Sequence, residues 1–321
     1  MRNVPVYTIC KGVKLAVCLL LVLLLCNSMT AKAQEATLVL FLNSQESEQS
    51  TKVIAGFKKQ MSRSLPQAEY ISHLVDTQAE LNPAQFVSKN TKSPPAVIIA
   101  LGTKATKIAQ ASFTGTPILA TLILDGNIME SKKNRAAILL SFPFDIQLQW
   151  LLRFMPQAQR IGILYDPAIS TSLVKEAENA AKGKNIKIVS YGISSPKDLQ
   201  AGLKQISSKA DVLLAVTDQT VYSGKTAKEI LLFSYRNRIP FGGLSSFWVK
   251  AGALYALEVD YGDLGRQAAE LAENLIIGKS LDKGPIFYPD KVSYSLNIRT
   301  KDHLRLDISR DLIKGASITF E

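Results

Sequence analysis

"AVIIALGTKATK" at residues 96–107 and "DVLLAVTDQTVY" at residues 211–222 decide the fold. Each is an apolar run of strand length that ends at a small or hydroxylated residue and passes into a polar stretch. The segments around them follow one order. "TLVLFL" (37–42) reads as a buried strand, and "QSTKVIAGFKKQMSR" (49–63) sets Val53, Ile54, Phe57 and Met61 at helical spacing. "AEYISHLV" (68–75), a helical stretch opened by Pro83, residues 96–107 and "PILATLIL" (117–124) complete the set. The order then restarts: "RIGILYDP" (160–167), the helical "STSLVKEAENAAKGKN" (170–185), "IKIVSYGI" (186–193), residues 211–222, and "IPFGGLSS" (239–246). Even the lead-ins agree, since "TGTPI" and "RNRIP" each put a proline at the mouth of the fourth strand. Strands alternating with helices predict parallel sheets with right-handed crossovers. The expectation is an α/β protein of two similar lobes, each a parallel sheet flanked by helices, joined by a multi-crossover hinge. The lobes are expected at residues 34–142 plus 259–283 and at 146–256 plus 284–321. Hinge candidates are Phe142–Phe144, Leu257–Asp260 and "SLDKGPIFYP" (280–289).

The first 33 residues read as an export signal. Arg2, Lys11 and Lys14 precede the apolar run "LAVCLLLVLLLC" (15–26), which is short for a membrane span, and "AKA" (31–33) offers small residues for cleavage after Ala33. An uncleaved anchor is the alternative. The three cysteines, Cys10, Cys18 and Cys26, all lie in that segment. Cleavage would leave 288 of the 321 residues, enough for two lobes. Losing Arg2, Lys11, Lys14 and Lys32 would lower the formal charge from +11 to +7. The remaining basic residues are spread out and not interleaved with aromatics, so a nucleic-acid partner is not expected.

Two such lobes leave a crevice at the carboxyl ends of their strands, where open α/β sheets bind ligands. Its loops would be Asn43–Gln45, Gly102–Lys104 and Asp125–Asn127 on one side, and Tyr165–Ser172, Thr217–Thr220 and Leu244–Trp248 on the other. Thr103 opens a helix after Gly102, so its hydroxyl and nearby amides either hold a carboxylate or cap the helix. Asp218 either neutralises an ammonium or caps in its turn. Tyr165 and Trp248 are candidate stacking walls, although Trp248 also suits burial between helix and sheet. Ser44, Asp125, Asp166, Thr217 and Ser245 are polar loop candidates by position.

"LEVDYGDLGRQAAELAENLIIGK" (257–279) predicts a capped helix. Asp260 stands at the N-cap with Asp263 three residues on, and Leu264, Ala268, Leu271, Ala272, Leu275 and Ile276 make one apolar stripe. Gly278 suits a left-handed stop, while Gly262 and Gly265 permit close backbone approach. If the chain passes between lobes here, Glu258 or Asp260 also reaches the cleft rim.

"VKAGA" (249–253), "DYGDLGRQAAE" (260–270), "IIGKS" (276–280) and "LNIRTKDHLRLDI" (296–308) resemble, in order and spacing, the closing portion of a family of ABC transporter substrate-binding proteins. The resemblance extends back through "PQAQRIGILYDPAIS", "DVLLAVTDQTV" and "AVIIALGTKATKIA". It implies a type I periplasmic binding protein-like fold, a small-molecule solute, and an ABC permease and ATPase as membrane partners. Some members are aromatic amino acid carriers. The chain departs from the family at its cleft loops, with "NSQESEQS", "LDGN" and "YDPAIS" where His-Pro, acid-Pro and Tyr-Asn-Pro-Ser motifs are common. Ligand choice resides in those loops.

The function expected is therefore a periplasmic, monomeric solute-binding protein without cofactor, closing on its ligand by hinge motion. A periplasmic sensor of the same fold is the alternative. An enzyme is disfavoured. His73 and His303 are the two histidines, no cysteine lies past residue 26, and neither a G-x-G-x-x-G after the first strand nor a phosphate-loop motif occurs.

Overall fold

A computed structural model describes residues 37–75, 82–130, 132–279, 281 and 284–321. The expected signal segment, its cleavage site and part of the third hinge candidate lie outside the described residues. No helix among the described residues is long and apolar enough to cross a membrane.

The first lobe runs β1 (Leu38–Asn43), α1 (Glu48–Ser64), β2 (Glu69–Leu74), α2 (Pro83–Asn90), β3 (Val97–Leu101), α3 (Thr103–Ser112), β4 (Ile118–Ile123) and β5 (Arg135–Leu139). After α4 (Phe144–Phe154), the second runs β6 (Arg160–Tyr165), α5 (Pro167–Ala181), β7 (Lys187–Gly192), α6 (Leu199–Ser207), β8 (Val212–Leu214), α7 (Ala227–Asn237), β9 (Phe241–Gly243), α8 (Ser246–Ala251) and β10 (Tyr255–Val259). The sheets are duplicates. Five parallel strands stand in the order β2-β1-β3-β4-β5 in one and β7-β6-β8-β9-β10 in the other.

The burial pattern explains why these runs form parallel sheets. β1, β3 and β5 are buried along their full length, as strands covered on both faces must be. Successive side chains alternate between two cores. Val39, Phe41, Val97 and Ile99 pack with Val53, Phe57 and Met61 of α1, while Leu40, Leu42, Ile98 and Ala100 pack with Ala105 and Ala109 of α3. One apolar cluster serves the second lobe, from Leu148 and Phe154 of α4 to Leu296.

The remaining elements decorate this duplicate. α9 (Tyr261–Ile276) returns to the first lobe beside α1, β11 (Ile286–Phe287) pairs with β5, and β12 (Val292–Asn297) pairs antiparallel with β10. β13 (Ile318–Phe320) closes that edge beyond α10 (Ile298–Leu304) and α11 (Arg310–Lys314). Because Ile286 and Phe287 add to the first sheet, the boundary expected between residues 283 and 284 moves. The third passage lies between Phe287 and Val292. Leu257–Val259, taken for part of a crossing, completes β10, so the second passage narrows to Asp260.

The packing of α9 on α1 depends on glycine. A Cβ on Gly265 would stand 2.1 Å from the Val53 carbonyl oxygen, and one on Gly56 would stand 2.0 Å from that of Gly262. No side chain fits between the two backbones. Asp260 begins this helix, its Oδ1 accepting from the Gly262 and Asp263 amides at 3.1 Å each, and Gly278 turns left-handed (φ 69°) past its end. The capped-helix reading of residues 257–279 holds.

Candidate functional site

In a 2-1-3-4-5 sheet the crevice opens where the connections diverge, beyond the carboxyl ends of the first and third strands. In the first lobe these are β1 and β3. Their loops, Asn43–Ser47 and Leu101–Lys104, line a cavity of 300 Å³ that also meets Leu122. The Ser44 hydroxyl accepts a hydrogen bond from the Ala105 amide at 2.9 Å and so caps α3 from another loop. Gly102, at φ 96°, is the N-cap residue and offers no side chain. A Cβ there would come within 2.6 Å of Ser44 Oγ. Thr103 is thus the first helical residue and not the cap, and it is exposed at the cavity wall. The Ser44 loop is itself braced, since Ser47 and Ser50 exchange capping hydrogen bonds at 3.1 Å and Asn43 Nδ2 donates to Ser50 Oγ.

In the second lobe the equivalent strands are β6 and β8, and their loops are tied by two aspartates. Asp218, 1 % exposed, accepts from the Thr220 and Val221 amides on Oδ1 and from the Asp166 amide on Oδ2, at 2.6–3.0 Å. Asp166, also buried, caps α5 through the Ala168 amide and accepts from the Thr220 hydroxyl at 2.9 Å. Both carboxylates are taken up by amides and a hydroxyl of the chain. Asp218, expected either to meet a ligand ammonium or to cap, bonds these amides and so braces the loop that carries Thr217. Tyr165 is half-buried and Thr217 exposed.

Trp248, expected as a stacking wall or as buried between helix and sheet, is half-buried. It packs edge-on against Phe241 (5.7 Å between centroids) and Tyr222 (6.1 Å), over Gly243. The preceding residue, Phe247, is 83 % exposed in the first turn of α8. The α8 register explains this exposure, because Trp248 and Val249 face the sheet and position 247 then points away. Ser245 holds the N-cap position of α8. Asp125 is exposed and receives the Asn127 amide in the short turn after β4. Asp260 belongs to the hinge: besides capping α9 it pairs with Lys291 at 2.8 Å, joining the second and third passages. That lysine holds the Asp260 carboxyl below its usual range, while burial raises the Glu258 carboxyl despite its bonds to Ser295 and Ser246.

A second cavity, 140 Å³, lies between the lobes at the hinge. Leu124 and Leu140 of the first lobe, Phe142 of the first passage, Tyr288 of the third, and Leu214, Thr217, Tyr255 and Leu257 of the second lobe all border it. The two cavities flank the end of β4, where a bulge sets Leu122 at φ 57°. A branched residue at positive φ is strained and tends to mark functional geometry. Here Leu122 borders one cavity and Leu124, 58 % exposed, the other. Leu124, Ile169 and Phe247 are exposed large apolar residues that follow β4, β6 and β9.

Among the described residues no group of three or more His, Cys, Asp or Glu could hold a metal ion. His73 stacks on Phe86 (4.3 Å between centroids) and His303 on Tyr235 (3.5 Å), both outside the crevice loops. The crevice loops carry hydroxyls, two amide-bound aspartates and apolar side chains.

Comparison with known proteins agrees. The family model of ABC transporter substrate-binding proteins matches residues 67–319, and the chain belongs to that family. A tyrosine-binding protein of Clostridioides difficile (strain R20291) is 26 % identical over 239 residues, covering 71 % of this chain and 69 % of that one. Among solved structures, a substrate-binding protein with adhesive properties from Clostridium difficile, in a ligand-free, open structure, superposes with a TM-score of 0.69 at 20 % identity. It covers 89 % of this chain and 100 % of that one. An ABC domain from Streptococcus pneumonia in complex with L-Trp gives a TM-score of 0.55 at 15 % identity with the same coverages. At such identities these two structures establish the fold, that of periplasmic binding proteins of type I. Family and fold are those of solute-binding proteins, not enzymes.

Proposed function

We propose that this chain captures an amino acid with an aromatic or large apolar side chain in the crevice between its lobes and delivers it to a membrane-embedded ABC importer. The observation that carries this reading is the cavity bordered at once by both sheets and by residues of the first and third passages. A solute there touches both lobes, and contacts available only when the lobes approach favour the closed state by that difference in affinity. The apolar residues Leu124, Leu140, Phe142 and Leu257 at this cavity suit a side chain with little polarity. Ser44 and Thr103, at the start of α3, offer hydroxyls at the positive end of a helix dipole for a carboxylate. Thr217 borders the interlobe cavity from the second lobe. The tyrosine-binding relative supports the amino-acid class.

In this reading the protein works as a monomer in the periplasm, exported by the segment that ends at Ala33. The lobes are residues up to 142 with 261–287, and 144–259 with 292–321. A melting-temperature screen of the chain from residue 34 tests the solute class, since a ligand of the folded form must raise the melting temperature. L-tyrosine, L-tryptophan or L-phenylalanine should raise it, whereas glucose, ribose and nucleosides should not. A rise with a sugar and none with any amino acid would overturn the proposal.

A further inference from the structure

Away from the crevice, one groove of the second lobe gathers cations that the chain does not neutralise. It lies between α6 and α7, has a volume of 620 Å³, and shares no lining residue with either crevice cavity. Lys228, Leu232 and Arg236 recur at four-residue spacing, which sets them on one face of α7. Lys225 stands just ahead of that helix, and Lys204 borders the groove from α6. All four cations are exposed, and none makes an ion pair or a side-chain hydrogen bond among the described residues. By contrast, Arg160, Lys184, Arg266 and Lys291 each pair with an acid. Glu229 is the one acid at the groove, and its buried Oε1 has no hydrogen-bond partner among the described residues. Four cations against one acid leave a formal excess of +3.

Two of these cations are poorly placed for the fold itself. Lys225 and Lys228 stand at the amino end of α7, where the helix dipole is positive and a cation destabilises. Like charges gathered on one groove also repel, and an anionic partner relieves both costs. The residue types select among such partners. Arginine, whose fork pairs a carboxylate at two points, is the cation enriched at protein interfaces, whereas lysine is depleted there. Three of the four cations here are lysines, flexible point charges suited to phosphates that are free to move. Leu232, 42 % exposed, lies in the same wall. A soluble anion would leave it in water, while the boundary between headgroups and acyl chains meets charge and apolar surface together.

We infer that the α6–α7 groove docks on an anionic bilayer surface, with its lysines on phospholipid phosphates and Leu232 at the acyl boundary. The inference is independent of the solute, since no residue of the groove borders the crevice cavities.

The test is co-sedimentation of the chain from residue 34 with vesicles of phosphatidylcholine alone and of phosphatidylcholine mixed equally with phosphatidylglycerol. The protein should sediment with the anionic vesicles at about 0.1 M salt, stay in solution with the neutral ones, and be released at about 1 M salt. Each cation at an anionic membrane strengthens attachment about fivefold, so Lys225→Gln with Lys228→Gln should weaken it about 25-fold. That variant should melt at or above the wild-type temperature, because both cations leave the positive end of α7. Lys89→Gln with Lys92→Gln removes the same charge from exposed positions of the first lobe and should change attachment less than about twofold. No attachment to anionic vesicles, an equal loss in the two double variants, or a lowered melting temperature of the first would each overturn the inference. Release by millimolar inorganic phosphate at matched ionic strength would overturn it too, by making the groove a site for the free anion.

Discussion

Replacing Gly265 by alanine tests whether backbone contact between α1 and α9 holds the first lobe together. The new Cβ would stand 2.1 Å from the Val53 carbonyl oxygen and 2.7 Å from the Phe57 amide nitrogen, where ordinary contact begins at 3.4 Å. Neither obstacle is a side chain that can swing aside, so the helices must part by about 1.3 Å to restore ordinary contact with the oxygen. Parting them loosens Val53 and Phe57 against Leu264 and Ala268, which pack in one core. Overpacking of this severity costs about 3–4 kcal/mol, and alanine returns about 1 kcal/mol of helix propensity. The net loss is then about 2–3 kcal/mol. In a chain of this size that lowers the melting temperature by roughly 4–12 °C. Gly115→Ala is the control, because nothing lies within 4 Å of a Cβ there. Urea unfolding followed by circular dichroism measures both variants. A Gly265→Ala loss below about 1 kcal/mol, or no greater than the control's, would refute the close-approach reasoning.

Two further outcomes follow from buried and paired charge. Arg135, fully buried, donates to the carbonyls of Phe113, Thr114, Thr116 and Asn134 at 2.7–3.3 Å, fixing the loop that leads into β4. Arg135→Met should cost about 3 kcal/mol in urea unfolding by orphaning those acceptors, and a loss under about 1 kcal/mol would contradict that role. Asp260→Asn keeps a capping side chain but removes the charge that faces Lys291. Because Lys291 depresses the Asp260 pKa in the folded state, the advantage of aspartate is present above the ordinary value of about 3.9 and is lost as pH falls through the folded value. The melting temperatures of wild type and variant should therefore converge in acid, and a gap independent of pH down to pH 2 would argue against the pairing.

The two-lobed order was legible because each strand is a run of apolar residues bounded by turn-forming ones, and the two halves repeat the same lead-ins. Gly262, Gly265 and the Asp260 cap were legible too, since cap and apolar stripe obey local rules. Residues Ile286-Phe287 were not, because a two-residue strand carries no period and is defined only by pairing with β5. Ser44 was placed at the crevice by position, yet its bond to the Ala105 amide spans 61 residues and leaves no trace in local pattern. The amide partners of Asp166 and Asp218 were not legible, because buried acids and exposed loop acids read alike until their partners are known. The exposure of Phe247 beside half-buried Trp248 was hidden for want of the α8 register. Tyr255 was missed altogether. Within an apolar strand a tyrosine reads as core, and only its place at the interlobe cavity distinguishes it.

The central claim is that a solute seated between the lobes draws them together. Small-angle scattering of the chain from residue 34, with and without an aromatic amino acid shown by its melting-temperature shift to saturate the site, measures this directly. The account predicts a smaller radius of gyration in the bound state. An unchanged radius at demonstrated saturation would contradict it.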